Sequence, residues 1–232
     1  WDLSIVDYGR DETSYTFTTC GKEGREGPDQ AMCDNHYGED IEVTVDAGIQ
    51  EWTVPQSGYY TLQVSGAMGG SAFEYPNSLN NLLYGGYGAN MKGDFLLVAG
   101  EVIQILVGQK GANLLNDDDR GGGGGGGTYI IKEDGTPLII AGGGGGAGNG
   151  YNSSTGGGYP FSSGGTEEID GIDGQAMQGT YFGLGGINGN GASVAYYSGG
   201  GAGFYSNGQN GSYGGTAGKG GNRFDEGGTG GC

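Results

Sequence analysis

Two runs of glycine, residues 121–127 and 142–146, restrict what this chain can fold into, because a stretch without side chains has almost no apolar surface to bury. There are 60 glycines and 5 prolines among 232 residues, about 28% together, a proportion that ordinarily signals disorder. Glycine loses more backbone freedom on folding than any other residue, so order here requires dense backbone hydrogen bonding. A polyglycine helix of the polyproline II type meets that need. It has three residues per turn and no internal hydrogen bonds, so every N–H and C=O must find an adjacent chain. Gly121, Gly124 and Gly127 share a three-residue register, as do Gly142, Gly145 and Gly148, and Gly208, Gly211, Gly214 and Gly220 with Ala217 between them. Seven such residues span roughly 22 Å, the length of a strand. Bundled, they form a core without side chains.

The glycines are unevenly placed: 17 precede residue 121 and 43 follow residue 120. The first part, 1–120, reads as β-structure. Residues 41–45 and 60–64 alternate with period two, and Pro55-Gln56-Ser57-Gly58 supplies turn chemistry between them. Further strands are predicted at 16–19, 50–54, 92–99 and 102–107, with Ala99-Gly100-Glu101 as a hairpin connection. Strands at 128–132 and 138–141 make a second hairpin, 128–141, inserted between the two glycine runs. The predicted architecture is therefore one interlocked domain over 1–232, all-β, with no helix of amphipathic periodicity.

Nine basic residues against 27 acidic give a formal charge of −18, which repels polyphosphates and excludes nucleic acid as a partner. No apolar run approaches the roughly 18 residues a membrane span requires, so no membrane insertion is expected. The chain begins at Trp1 with no charged leader or apolar signal core, as a mature or a trimmed chain would, so secretion is argued from other features. Cys20 and Cys33, 13 positions apart, suit an extracellular staple worth on the order of 3 kcal/mol. Cys232 is left over, and is expected either to pair with another chain or to belong to a further module. The triplets Asn152-Ser153-Ser154 and Asn210-Gly211-Ser212 are N-glycosylation acceptors that fit the same route.

Chemistry-bearing motifs are sparse. The many matches to G-x-G-x-x-G follow from glycine abundance and lack the helix a dinucleotide site needs. His36 is the sole histidine, so any triad would depend on it, and both nearby cysteines are better used as the staple. Asp117, Asp118, Asp119, Asp170 and Asp173 are the calcium candidates, although none falls in an EF-hand pattern. No cofactor and no enzymatic activity are expected. Sixteen tyrosines, with Tyr151, Tyr159, Tyr181, Tyr196, Tyr197, Tyr205 and Tyr213 in the glycine-rich half, offer either stacking faces to sugars or neighbouring subunits or lids over glycine-lined backbone.

The ordered succession of several segments carries a resemblance. Thr18-Thr19-Cys20-Gly21, Gly24-Arg25-Glu26-Gly27-Pro28 and Cys33 come first, followed by Trp52-Thr53-Val54-Pro55, Gly58-Tyr59-Tyr60 and Gly66-Ala67-Met68-Gly69-Gly70. Ala99-Gly100-Glu101, Ile105-Leu106-Val107-Gly108-Gln109 and Ile140-Ala141-Gly142 complete it. Over about residues 15–150 the chain resembles the extracellular glycine-rich domain of the anaplastic lymphoma kinase and leukocyte tyrosine kinase family. The resemblance implies a TNF-like, jelly-roll β-sandwich fused to a bundle of polyglycine II helices, with Cys20 and Cys33 paired. Two functions follow as expectations. The first is a secreted, non-enzymatic structural or adhesive protein that assembles with copies of itself into extracellular filaments. A neighbour's Leu3, Ile5, Val6 and Tyr8 would fill a vacant sheet position and Cys232 would lock the junction. The alternative is the ectodomain of a receptor of that family, with an extracellular protein or glycan as ligand.

Overall fold

A computed structural model describes residues 2–7, 13–24, 26–74, 78–113, 121–148, 189–193, 198–212, 217–227 and 230–231. Eleven strands and one α-helix are found among them: β1 (Asp2–Asp7), β2 (Thr13–Thr18), α1 (Gln30–Tyr37), β3 (Thr44–Asp46), β4 (Ile49–Thr53), β5 (Gly58–Ser65), β6 (Ala72–Glu74), β7 (Ser78–Leu83), β8 (Asn90–Leu97), β9 (Val102–Leu106), β10 (Thr128–Lys132) and β11 (Pro137–Ala141). Two antiparallel sheets, ordered β2-β1-β5-β8 and β11-β10-β9-β4-β3, are consistent with a β-sandwich, and β6-β7 make a separate ribbon.

Period-two alternation decides which side chains turn inward. In the first sheet Leu3 and Ile5 of β1 pair with Val64 and Leu62 of β5, and all four are buried. In the second, Trp52 opposes Ile103 and Ile130 opposes Ile105, and again all are buried. The two inner faces meet around Trp52, whose ring centroid lies 5.7 Å from that of Phe17 and 6.2 Å from that of Tyr60, both edge-on.

Three expectations from sequence need correction. Residues 99–101 do form a tight turn, with Gly100 at φ 84°, but it carries the chain from β8 in one sheet to β9 in the other and makes no hairpin. The all-β expectation gives way at α1: the side chain of Asp29 accepts from Met32 N at 2.9 Å and caps this helix, which carries Cys33. The sheet position that strand exchange was expected to find vacant is filled, since β1 lies between β2 and β5 of its own chain.

A disulfide joins Cys20 to Cys33, and α1 then aims Tyr37 back at the end of β2. The Tyr37 hydroxyl accepts from Thr18 N at 2.9 Å and donates to Gln50 Oε1 at 2.7 Å, while Gln50 Nε2 donates to Thr18 O at 2.8 Å. Gln50 belongs to the second sheet and Thr18 to the first, so this network, buried at Gln50 and Tyr37, ties the two together. Gln50→Leu removes both bonds at similar volume, and the urea midpoint is expected to fall by the equivalent of about 2 kcal/mol.

The glycine-rich segments hydrogen-bond to one another with period three, as the stretch 121–127 illustrates. Gly122 N and Gly125 N donate to Ala147 O and Gly144 O, both at 2.7 Å. Gly123 N and Gly126 N donate to Ala112 O and Gln109 O at 3.1 and 2.9 Å, and Gly124 N to Lys219 O at 2.8 Å. The carbonyls follow the same rule toward other neighbours. Gly122 O and Gly125 O accept from Gly199 N and Ala202 N, Gly123 O and Gly126 O from Gly70 N and Ala67 N, and Gly124 O from Gly231 N. One segment is thus surrounded by six, and residues three apart address the same neighbour. A strand would alternate between two sides, and an α-helix would bond within itself.

Tyr129 joins the sandwich to these segments. It projects from β10 away from the sandwich core, donates its hydroxyl proton to Gly203 O at 2.8 Å and packs against the rings of Phe204 and Phe224. Burial, reinforced by the charge of Asp225, pushes its pKa well above the ordinary 10.0, and burial also raises that of Tyr37. Both groups favour the neutral form in the folded state, so their contribution to stability is complete below pH 10 and is lost as pH rises above it. Chemical-denaturation curves between pH 8 and pH 12 should show this decline. Tyr129→Phe should flatten it while costing about 1 kcal/mol at neutral pH through the lost bond to Gly203.

Candidate recognition groove

The segments 206–210 and 219–226 border an open groove of about 820 Å³, within the range of small-molecule sites. Its walls stand on the period-three ladder, with Gly208 N donating to Gly221 O and Gly211 N to Gly218 O, both at 2.9 Å. Asn207 Oδ1 accepts from Arg223 N and Asn207 Nδ2 donates to Glu226 Oε2, each at 2.7 Å. Asn210 Oδ1 accepts from Gly220 N at 3.0 Å. Arg223 Nε pairs with Asp225 at 2.7 Å, and its guanidinium also donates to Tyr205 O. The Tyr205 side chain is 60% exposed and its ring centroid lies 5.0 Å from that of Phe204.

Gln209, Asn210, Lys219, Asn222 and Glu226 supply carboxamides, one ammonium and one carboxylate along the groove. Such groups donate to and accept from hydroxyls, which suits a saccharide better than an apolar ligand. His36 lies elsewhere, on α1, with Nε2 3.0 Å from Thr18 Oγ1. No cluster of three or more metal-ligating side chains occurs among the described residues. The exposed pair Tyr59 and Leu96, which oppose each other across β5 and β8, forms a separate apolar spot on the outer face of the first sheet.

Cys20 and Cys33 are joined, Leu3 and Ile5 are buried in β1, Val6 is half-buried beside them, and Asn210 is exposed in the groove wall. Tyr8, Asp117, Asp118, Asp119, Asn152, Asp170, Asp173 and Cys232 lie outside the described residues. The sequence reading missed Asn207, Lys219 and Asn222 as neighbours. The available signal was Asn207 and Asn210, two amides one three-residue turn apart, facing a second glycine segment that carries Lys219 and Asn222.

No helix of the described residues is long and apolar enough to cross a membrane. No family model matches the chain. Over 103 residues it is 40% identical to the leukocyte tyrosine kinase receptor of Mus musculus, a stretch that covers 42% of this chain and 11% of that receptor. The chain is therefore related to one part of a receptor and spans about a ninth of its length.

Proposed function

We propose that this chain is an extracellular, non-enzymatic recognition module of the receptor-ectodomain kind, which binds a protein or glycan and performs no chemistry of its own. The 40% identity to a receptor over 103 residues carries the reading. The Cys20–Cys33 disulfide supports it, since such bonds persist in oxidising compartments. We further assign the glycine segments to polyglycine II helices. The assignment is supported by the period-three hydrogen bonding and by the positions of added methyls: a Cβ at Gly143 or Gly144 would strike the backbone of residues 125 or 86–87. Such a bundle is stiff, and a stiff scaffold lowers the entropy lost when surface loops bind.

Sedimentation of the non-reduced chain, paired with binding to immobilised extracellular proteins and glycans, tests the reading. A monomer that binds one ligand class saturably is expected. Polymers that dissolve on reduction would overturn it in favour of assembly through Leu3, Ile5 and Val6 with Cys232 as the lock, for which β1 would have to leave the sheet it fills here.

A further inference from the structure

We propose that Asn210 carries an N-linked glycan whose first sugars lie in the groove that Asn210 itself borders. The inference rests on the extracellular reading above. Asn210-Gly211-Ser212 is an acceptor triplet, and both Asn210 and Ser212 are exposed. Among the described residues the Asn210 amide is held at one end: Oδ1 accepts from Gly220 N at 3.0 Å. N-glycosylation leaves that carbonyl intact. Asn210 Nδ2 attacks the anomeric carbon of a lipid-linked oligosaccharide, the N–C bond forms, the C–O bond to the lipid pyrophosphate breaks, one Nδ2 proton passes to a base of the transferase, and the lipid pyrophosphate leaves. The bond from Gly220 survives and fixes the direction in which the sugar projects.

The groove supplies what an N-acetylated sugar needs. Gln209, Lys219, Asn222 and Glu226 line it, and about 820 Å³ is space enough for a small ligand. A tethered sugar occupies such a groove at high effective concentration, so modest contacts suffice to hold it. The occupant is therefore the chain's own glycan in place of a saccharide from solution.

The test is secretion of the full chain from a eukaryotic cell line, glycopeptide mass spectrometry that scores Asn210 separately from Asn152, and endoglycosidase digestion of native and denatured protein. The expected result is a modified Asn210 whose glycan is released about tenfold more slowly from the native than from the denatured chain. Ser212→Ala, which removes the acceptor triplet but leaves Asn210 in place, should lower the melting temperature by about 3 °C. Lys219→Ala, an exposed position, should speed native release while leaving modification intact. A secreted chain with bare Asn210 overturns the proposal, as does equal release from native and denatured protein. Binding of soluble N,N′-diacetylchitobiose to a secreted chain with bare Asn210 also overturns it and assigns the groove to a saccharide supplied in trans. Retention of folded, disulfide-bonded chain inside the cell overturns the extracellular reading itself.

Discussion

Gly125→Ala is expected to cost at least about 3 kcal/mol or to abolish folding, whereas Gly145→Ala, in the next segment, should change stability by less than about 1 kcal/mol. Both positions are glycine, and neither has a positive φ, so backbone preference does not separate them. Surroundings do. A Cβ at Gly125 would fall on the carbonyl oxygen of Ala67, 2.8 Å from that residue's carbonyl carbon and 2.9 Å from that of Met68, inside the segment that has six neighbours. Relief would require breaking the bonds of Gly125 to Gly144 and Ala202. At Gly145 the nearest atom to a new Cβ is Gly199 O at 3.9 Å, an ordinary contact. Gly142 and Gly148, one turn either side, are similarly open, with nearest atoms at 3.5 and 4.0 Å. Ala147 already carries a methyl, packed with Ala72 and Leu83. Urea midpoints for alanine variants across 142–146 should therefore show tolerance at 142 and 145 and large losses at 143, 144 and 146. Uniform tolerance would mean that the segments do not pack backbone against backbone.

Loss of the disulfide is the second large effect. Replacing Cys20 and Cys33 together by alanine should lower stability by about 3 kcal/mol, the loop-closure value for a separation of 13 residues. For a chain of this size that is a fall in melting temperature on the order of 10 °C. The loss should be local in its first stage. α1 is eight residues long, too short to persist without tertiary contacts, and besides the disulfide it is held by Tyr37 against Thr18 and Gln50 and by Gln30, which bonds to Val43 O and Val45 N. Reduction should therefore expose the Tyr37 ring to solvent before the sheets open. Tyrosine fluorescence and far-ultraviolet circular dichroism, compared with and without reductant, follow the two stages.

How far the sequence reveals this architecture depends on the kind of information each element carries. β5 and β10 were readable because alternation or a dense β-branched run declares a strand directly, and β10 falls at the predicted residues 128–132. β6 and β7 were missed because Asn80, Asn81 and Ser78 break that signal. The turn at 99–101 was legible as a reversal, yet turn residues do not say which strands flank it as partners; that is decided by the apolar faces of β8 and β9, which belong to opposite layers. α1 was hidden because its polar content leaves no apolar stripe, and its one local sign is Asp29 after Pro28. The spacing of Gly121, Gly124 and Gly127 showed the period of the hydrogen bonding but not the identity of the six neighbours. The groove was least legible of all. Its walls come from segments about ten residues apart, and Asn207, Arg223 and Glu226 are brought together by the glycine ladder, with no local pattern in the sequence.

The central claim is that glycine backbone forms a core here, and native-state hydrogen exchange measures it most directly. The amides of Gly122, Gly123, Gly125 and Gly126 each have a protein acceptor within 3.1 Å and lie in buried residues. They should exchange as slowly as those of Ile105 and Ile130 in the sandwich, opening only with global unfolding. Exchange of these glycine amides at the rate of an exposed loop, while Ile105 and Ile130 remain protected, would contradict the account.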